Sequence, residues 1–133
     1  MQHPDFFLMQ DQTFGRQEKL KSTRIITALF NKGKYLFSYP IKLIYLPADS
    51  ISDIPAHQFG ISVPKKKFKR AVDRNRIKRM VREAYRLNKG GIENLDPIVM
   101  MAIYVADSEL SFKEIEFSIK KILNLLNKAS SKG

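Results

Sequence analysis

Hydrophobic and polar positions recur with two different periods along the chain, and these periods predict three helices and three or four strands. The first helix begins at Ser22 or Thr23, either of which can cap it, and Gly33 ends it. Its inward side would carry Ile25, Ile26, Leu29 and Phe30. Short apolar runs bounded by proline, glycine or polar residues predict strands at 35–38, 41–46 and 58–63.

A longer helix is predicted from Asp73 to about residue 89, followed by a buried strand and a last helix. The apolar side of the long helix carries Ile77, Met80, Val81, Ala84 and Leu87. At 88–91 an asparagine and two glycines favour left-handed conformations that end this helix.

Residues 98–105 are almost all apolar, as in a central strand. Ser111 and Glu114 have capping-box spacing at the start of the last helix. The inward residues of this helix are Phe112, Ile115, Ile119, Ile122, Leu123 and Leu126.

The order of these elements predicts an α+β sandwich of helices on a mixed sheet. Strand 58–63, the long helix and strand 98–105 form a β-α-β unit. At 133 residues the chain fits one domain spanning 1–133. Residues 1–15 and 129–133 lack apolar periodicity and are predicted to be flexible.

Positive charge is concentrated on the long helix and on the segment before it. Twelve of the 24 Lys and Arg residues lie between Lys65 and Lys89, where the only acids are Asp73 and Glu83. Opposite the apolar side lie Asn75, Lys78, Arg79, Arg82, Arg86 and Lys89, with Arg74 and Arg76 on the flanks. Glu83 is predicted to lie off this face. Like charges one helical turn apart repel each other, which indicates a missing counter-charge. The pattern favours binding of RNA or DNA, and the alternative is an ordinary solvated face.

Composition narrows the function further. The net charge of +11 favours a polyanionic partner, and a membrane surface is the weaker alternative because the helix needs its apolar side for a core. The chain has no cysteine, which excludes disulfides and thiolate metal sites. His3 and His57 are far apart and the 13 acids are scattered, so no metal site and no catalytic residue is predicted. The early apolar run at 6–9 is too short for a secretion signal, so a cytoplasmic location is expected.

The segment from Ala71 to Arg79 resembles the signature of the bacterial ribonuclease P protein subunit. It contains the core Arg-Asn-Arg-x-Lys-Arg, and Arg82 and Arg86 follow at helical spacing. Segments 14–15, 24–30 and 60–66 also look like parts of that family, whereas many members are shorter at 67–70 and carry a glycine there. The resemblance implies an α/β sandwich related to a ribosomal-protein domain, with a left-handed β-α-β crossover.

The resemblance also implies a cytoplasmic ribonucleoprotein that removes the 5′ leader from precursor tRNA. In that particle the RNA subunit performs hydrolysis with bound Mg²⁺, and the protein alone holds no cofactor. The implied partners are the ribonuclease P RNA and precursor tRNA, without DNA or a membrane. RNA-subunit contacts are implied for Lys65, Lys66, Arg70, Arg74, Asn75, Arg76, Lys78, Arg79, Arg82 and Arg86. Asn75 is equally suited to satisfying backbone groups near the helix start.

A second site implied by the family is a cleft between the first helix and one sheet face that holds the 5′ leader. Ile26 and Phe30 would line its helical side. Leu43 and Tyr45 share one face of a strand and would form its floor. Single strands are usually held by aromatic stacking beside basic residues. The alternative is that Phe30, Leu43 and Tyr45 belong to the core.

Two other classes of protein are weighed against this one. A ribosomal or general RNA-binding protein is compatible with the charge, although the ordered signature argues against it. A DNA-binding protein that reads sequence with the basic helix is disfavoured, because no short helix precedes it at the spacing of a helix-turn-helix.

Overall fold

The computed structural model describes residues 19–20, 22–51 and 54–131. Its helices and strands follow the predicted order, which confirms the α+β fold. They are α1 (Thr23–Lys32), β1 (Lys34–Ser38), β2 (Ile41–Pro47), β3 (Gln58–Ser62), α2 (Ala71–Asn88), β4 (Ile98–Tyr104) and α3 (Phe112–Ser131). Short 3-10 turns lie at Ala48–Ser50 and Lys89–Ile92.

The four strands form one mixed sheet in the order β1-β2-β4-β3. β2 is antiparallel to both β1 and β4, and β3 is parallel to β4. The apolar strand β4 is flanked on both sides, which confirms the prediction that it is central. β3, α2 and β4 form the predicted β-α-β unit. The hand of this connection stays a prediction.

Each face of the sheet carries its own apolar cluster. On one face, Leu43 and Tyr45 of β2 pack in a cluster that includes buried residues of α2 and α3. On the other face, Ile44 and Leu46 join a cluster that includes Leu29 of α1. Side chains alternate between the two faces along a strand, so β2 contributes to both clusters. The sheet therefore separates α1 from the layer formed by α2 and α3.

Both ends of α1 form where they were predicted. The side chain of Ser22 accepts a hydrogen bond from the Ile25 N–H at 3.3 Å, which caps the helix. Gly33 ends α1 in an extended conformation, with φ of −70°. A Cβ atom at Gly33 would lie 2.4 Å from the Leu29 carbonyl oxygen and 2.6 Å from Cγ1 of Ile44. Glycine is needed here because α1 approaches β2 so closely, and β1 begins at the next residue.

The buried side of α2 is rotated around the helix axis relative to the predicted one, toward Tyr85 and away from Leu87. Tyr85 is buried, whereas Leu87, which was predicted to face inward, is 52% exposed. The ring of Tyr85 stacks on that of Phe59 in β3, with centroids 3.9 Å apart. A count of aliphatic residues along the helix favoured Leu87 and missed this aromatic pair.

α2 ends at Asn88, where the sequence predicted its end, but without the left-handed conformations that were expected there. The chain leaves α2 through a 3-10 turn at Lys89–Ile92, and no glycine in the described residues has a positive φ. Residues 129–131, expected in a flexible tail, belong to α3. The expected flexible segment 1–15 lies outside the described residues.

The start of α3 confirms the predicted capping box. The Glu114 N–H donates to Ser111 Oγ at 3.2 Å, and the Ser111 N–H donates to Glu114 Oε1 at 3.2 Å. Within the described ranges, no helix is both long and apolar enough to cross a membrane.

Candidate nucleic-acid interface

The outer side of α2 carries a line of polar and basic side chains. Its members are spaced by three or four residues, so they lie on one side of the helix. Arg79 is exposed, and the other members are partly exposed. We call this line the α2 stripe, and it consists of Asn75, Arg79, Arg82 and Arg86. Three guanidinium groups in a row present planar, permanently charged donors, which suit phosphate groups.

Asn75 begins the α2 stripe at the N-terminal end of the helix. Its side chain is partly exposed, but its Oδ1 atom is buried. Among the described residues, this oxygen has no hydrogen-bond partner. The amide can both donate and accept, so it offers an acceptor that the fold itself does not use.

Two basic residues of the signature do not lie on the surface, which corrects the prediction that they contact RNA. Lys78 is only 1% exposed and Arg74 only 6%. Nη1 of Arg74 donates to the carbonyl oxygens of Phe68 and Lys69, at 2.8 and 2.9 Å. Arg74 therefore fixes the path of the segment that precedes α2. Both residues lie one turn from Ile77 or Val81 on the buried side of α2, whereas the prediction placed Lys78 opposite that side and Arg74 on its flank.

Arg76 is exposed but is already engaged by carboxylates. It donates three hydrogen bonds of 2.7–2.9 Å to Glu109 and one of 2.9 Å to Asp73. These contacts, first those to Glu109, raise the pKa of Arg76 above its ordinary value. Arg76 lies on the flank of α2 beside the α2 stripe and ties the helix to the segment before α3.

The predicted basic residues before α2 lie on the surface. Lys65 and Lys66 are exposed. Arg70 forms an ion pair with Asp73 at 2.9 Å, and its hydrogen bond lowers the pKa of Asp73. Nζ of Lys67 donates to the Val105 carbonyl at 2.9 Å, which attaches this segment to the end of β4.

Carboxylates also reach the α2 stripe. Glu83, which was predicted to lie off the basic face, accepts two hydrogen bonds from Arg86, including one of 3.0 Å from Nε. The pair is partly exposed, so its contribution to stability is small. A phosphate bound at Arg86 would have to share this guanidinium with Glu83 or replace Glu83.

The predicted leader cleft is assembled only in part. Phe30 of α1 is 46% exposed, and Ile26 packs against the cluster on the α1 face of the sheet. Leu43 and Tyr45 are buried on the opposite face, against the α2 and α3 layer. Their assignment to the floor of the cleft is therefore corrected to the core. The alternation of side chains along β2 was predicted correctly. The prediction was wrong about which side of the sheet Leu43 and Tyr45 face, because it placed them on the side of α1.

Other residues of the α1 face form an open surface beside α1. Residues directly opposite each other in antiparallel strands share a face, so Tyr35 lies with Ile44, and Phe37 lies with Lys42. All but Ile44 are exposed. Nζ of Lys42 lies 4.4 Å from the centroid of the Tyr35 ring, a cation–π contact. The signal in the sequence was Lys42, a single charge within an apolar strand.

No group of three or more His, Asp or Glu side chains that could hold a metal ion occurs in the part of the chain that the structure describes. Within the described residues, the features suited to binding are the basic surface on α2 and the aromatic surface beside α1.

This fold and these surfaces define the class of a basic α+β protein built to bind a polyanion. The family model for ribonuclease P matches residues 14–127. A ribonuclease P protein component from Porphyromonas gingivalis is 36% identical over 118 residues, covering 84% of this chain and 85% of that protein. One from Petrotoga mobilis is 35% identical over 124 residues, covering 90% of this chain and 98% of that protein.

The chain belongs to the ribonuclease P protein family. It is therefore a protein component of the RNA-based endonuclease that processes the 5′ ends of tRNA, which confirms the function predicted from the sequence. The structure of the Staphylococcus aureus RNase P protein has the same fold, with a TM-score of 0.68 at 22% identity over 82% of this chain and 94% of that one. The Thermotoga maritima RNase P protein gives a TM-score of 0.67 at 24% identity, over 81% of this chain and 96% of that one.

Proposed function

We propose that the α2 stripe binds the RNA subunit of ribonuclease P. The observation that carries this proposal is the row of Arg79, Arg82 and Arg86 along the outer side of α2, on a helix whose other side is fixed in the core. Arginine binds phosphate in a bidentate way, and a rigid helix sets the spacing of the three groups. Lys65 and Lys66, held near the start of α2 by Arg74 and Lys67, extend the positive surface.

The α1 face of the sheet is proposed to hold the 5′ leader of precursor tRNA. It combines exposed aromatic rings with the positive charge of Lys42, which is the combination that binds unpaired strands. The surface is defined by Phe30, Tyr35, Phe37 and Lys42, and we call it the α1 surface. A leader bound there and an RNA subunit bound to the α2 stripe would lie on opposite sides of the sheet.

Catalysis is proposed to belong to the RNA subunit, which uses Mg²⁺, while the protein itself binds no cofactor. The absence of disulfide chemistry and the high positive charge fit a particle that works in the cytoplasm. The protein would act by holding the RNA subunit and the leader in register.

Reconstitution tests the proposed function directly. The purified protein is added to its RNA subunit and to a precursor tRNA at low Mg²⁺, and the rate is compared with that of the RNA subunit alone. Faster release of a leader with the correct 5′ end of the mature tRNA supports the proposal. An equal rate with and without the protein, at every Mg²⁺ concentration, contradicts it.

A further inference from the structure

The outer side of α3 forms a second basic surface on the other helix of the same layer. Its exposed residues are spaced so that they lie on one side of the helix. We call this line the α3 stripe, and it consists of Lys113, Phe117, Lys120, Lys121, Asn124 and Lys128. It shares no residue with the α2 stripe or with the α1 surface.

Both carboxylates of α3 accept hydrogen bonds from residues outside the α3 stripe. Glu114 accepts hydrogen bonds from Ser111 in the capping box, and Glu116 accepts one of 3.1 Å from the side-chain amide of Asn88. Among the described residues, no ion pair involves Lys113, Lys120 or Lys121. Like charges this close along a helix repel, and in the described structure Lys113, Lys120 and Lys121 have no carboxylate partner that offsets this repulsion.

An exposed aromatic cleft adjoins this surface. Phe117 is 66% exposed, and Tyr39, in the turn between β1 and β2, is 58% exposed. Both rings line an open cleft of about 310 Å³, to which Lys113 and Glu114 also contribute. Large aromatic rings left in water are unfavourable, which indicates that a ligand with a flat apolar face covers them.

The cleft has a fixed shape because its two sides are tied together. Ser118, one residue after Phe117, is buried and donates a hydrogen bond to the Ser38 carbonyl. The Val105 N–H donates to the Pro40 carbonyl at 2.8 Å, which holds the turn against the end of β4. The rings of Tyr39 and Phe117 are thus presented by anchored backbone.

We infer that the α3 stripe is a further RNA-binding surface, which takes an unpaired strand. A base would stack in the cleft of Phe117 and Tyr39, and the lysines would contact the phosphates that follow it. A protein partner is disfavoured because charged residues are depleted at the centres of protein interfaces. This cleft is lined by Lys113 and lies beside the other lysines of the α3 stripe. The strand is assigned to the RNA subunit, because the α3 stripe lies in the same helical layer as the α2 stripe and across the sheet from the α1 surface. This assignment rests on the proposed function of those two surfaces.

The chain lacks tryptophan, which allows a local reporter to be placed in the cleft. We would measure the emission of the full-length Phe117→Trp variant during titration with an oligouridylate. Stacking of a base on the indole should quench its emission. Leu87→Trp, at an exposed position on α2, is the matched control and should not be quenched to the same extent.

Charge is tested in the same Phe117→Trp background. Lys120→Ala combined with Lys121→Ala should weaken the quenching titration and lower its salt slope by about 1.4, or about 0.7 for each lost phosphate contact on a single strand. The matched charge control is Arg24→Ala on α1, which should leave the titration of Phe117→Trp unchanged.

Titration with the RNA subunit, with precursor tRNA and with mature tRNA then identifies the source of the strand. Quenching by the RNA subunit supports this assignment. Quenching by precursor but not mature tRNA, without quenching by the RNA subunit, overturns it in favour of the leader. The inference is overturned if Phe117→Trp responds no more than Leu87→Trp to any of these RNAs, or if the salt slope survives loss of both lysines. Anisotropy of labelled RNA in the same samples reports binding at the α2 stripe separately, so the proposed function and this inference fail independently.

Discussion

At the scale of single residues, the signature of the family divides into groups with different tasks. Arg79 presents its guanidinium to solvent, whereas Arg74 is buried and donates to the carbonyl oxygens of Phe68 and Lys69. Arg76 is held by Glu109 and Asp73. The same residue type thus serves as a candidate RNA contact, a support of the backbone and a link between segments, and its partners decide which.

Arg79→Ala should weaken binding to the RNA subunit without changing the fold, because the side chain is exposed. The salt slope of binding should fall by about 0.9 for one lost phosphate contact. Arg79→Lys should restore the affinity only in part, since it lacks the bidentate fork. A salt titration of RNA-subunit binding measures both, with Arg24→Ala as the control on the other face of the sheet. Identical slopes for Arg79→Ala and the parent would remove this residue from the interface.

Arg74→Ala should act on stability instead. Removing a buried cation that donates to two carbonyl oxygens should cost on the order of 2–3 kcal/mol of unfolding free energy. Urea unfolding of Arg74→Ala, beside Arg79→Ala, measures this difference. If Arg74→Ala were as stable as the parent and lost RNA-subunit affinity with a reduced salt slope, the residue would be a phosphate contact after all.

At the scale of elements, the alternation of side chains along β2 decides which residues can form the proposed leader site. Its odd-numbered residues from Ile41 to Tyr45 pack toward α2 and α3, and its even-numbered residues from Lys42 to Leu46 lie on the α1 face. The site beside α1 is therefore formed by side chains that alternate with those of the core.

Phe37→Ala should reduce the affinity for precursor tRNA by about 1–3 kcal/mol, the usual contribution of one base–aromatic contact. It should not affect mature tRNA, which has no leader, and it should change thermal stability little because the ring is exposed. Tyr45→Ala should instead cost about 3–5 kcal/mol of folding stability, since its ring is buried in the core. Melting curves and binding of both tRNAs distinguish the two residues. Equal loss of precursor and mature tRNA binding in Phe37→Ala would contradict a leader contact.

The sequence predicted those properties of the helices and strands that depend on neighbouring residues, but not those that depend on contacts between distant parts of the chain. Order, type and approximate bounds followed from local periodicity and caps, as at Ser22 and Ser111. The phase of β2 and the rotation of α2 depended on partners distant in sequence, such as Phe59 against Tyr85. The burial of Lys78 could not be predicted from charge, because a long side chain can lie along the core side of a helix. The candidate RNA contacts were therefore predicted as a set, but not residue by residue.

At the scale of the whole molecule, the candidate RNA surfaces face different directions. The α2 and α3 stripes lie on the helical layer, and the α1 surface lies across the sheet from it. A net charge of +11 gives such a protein fast, salt-sensitive association with RNA. The molecule is thus suited to bridging RNA segments.

The protein alone should cleave no precursor tRNA, whatever divalent ion is supplied. Hydrolysis of a phosphodiester needs an activated water, and the described residues offer no cluster of side chains that would hold a metal for it. The measurement is incubation of RNase-free protein with labelled precursor, with and without the RNA subunit. Release of the leader by the protein in the absence of that RNA would assign the chemistry to the protein.

The lack of room for a side chain at Gly33 affects the α1 surface. α1 ends and β1 begins with one glycine between them, and a Cβ there would meet both the helix and Ile44. We therefore expect the packing of α1 against β2 to fix the width of the α1 surface before any RNA binds. A leader that binds there loses its own conformational freedom but does not have to order the protein as well. Discrimination between leaders should consequently appear as differences in how well each strand fits a rigid site.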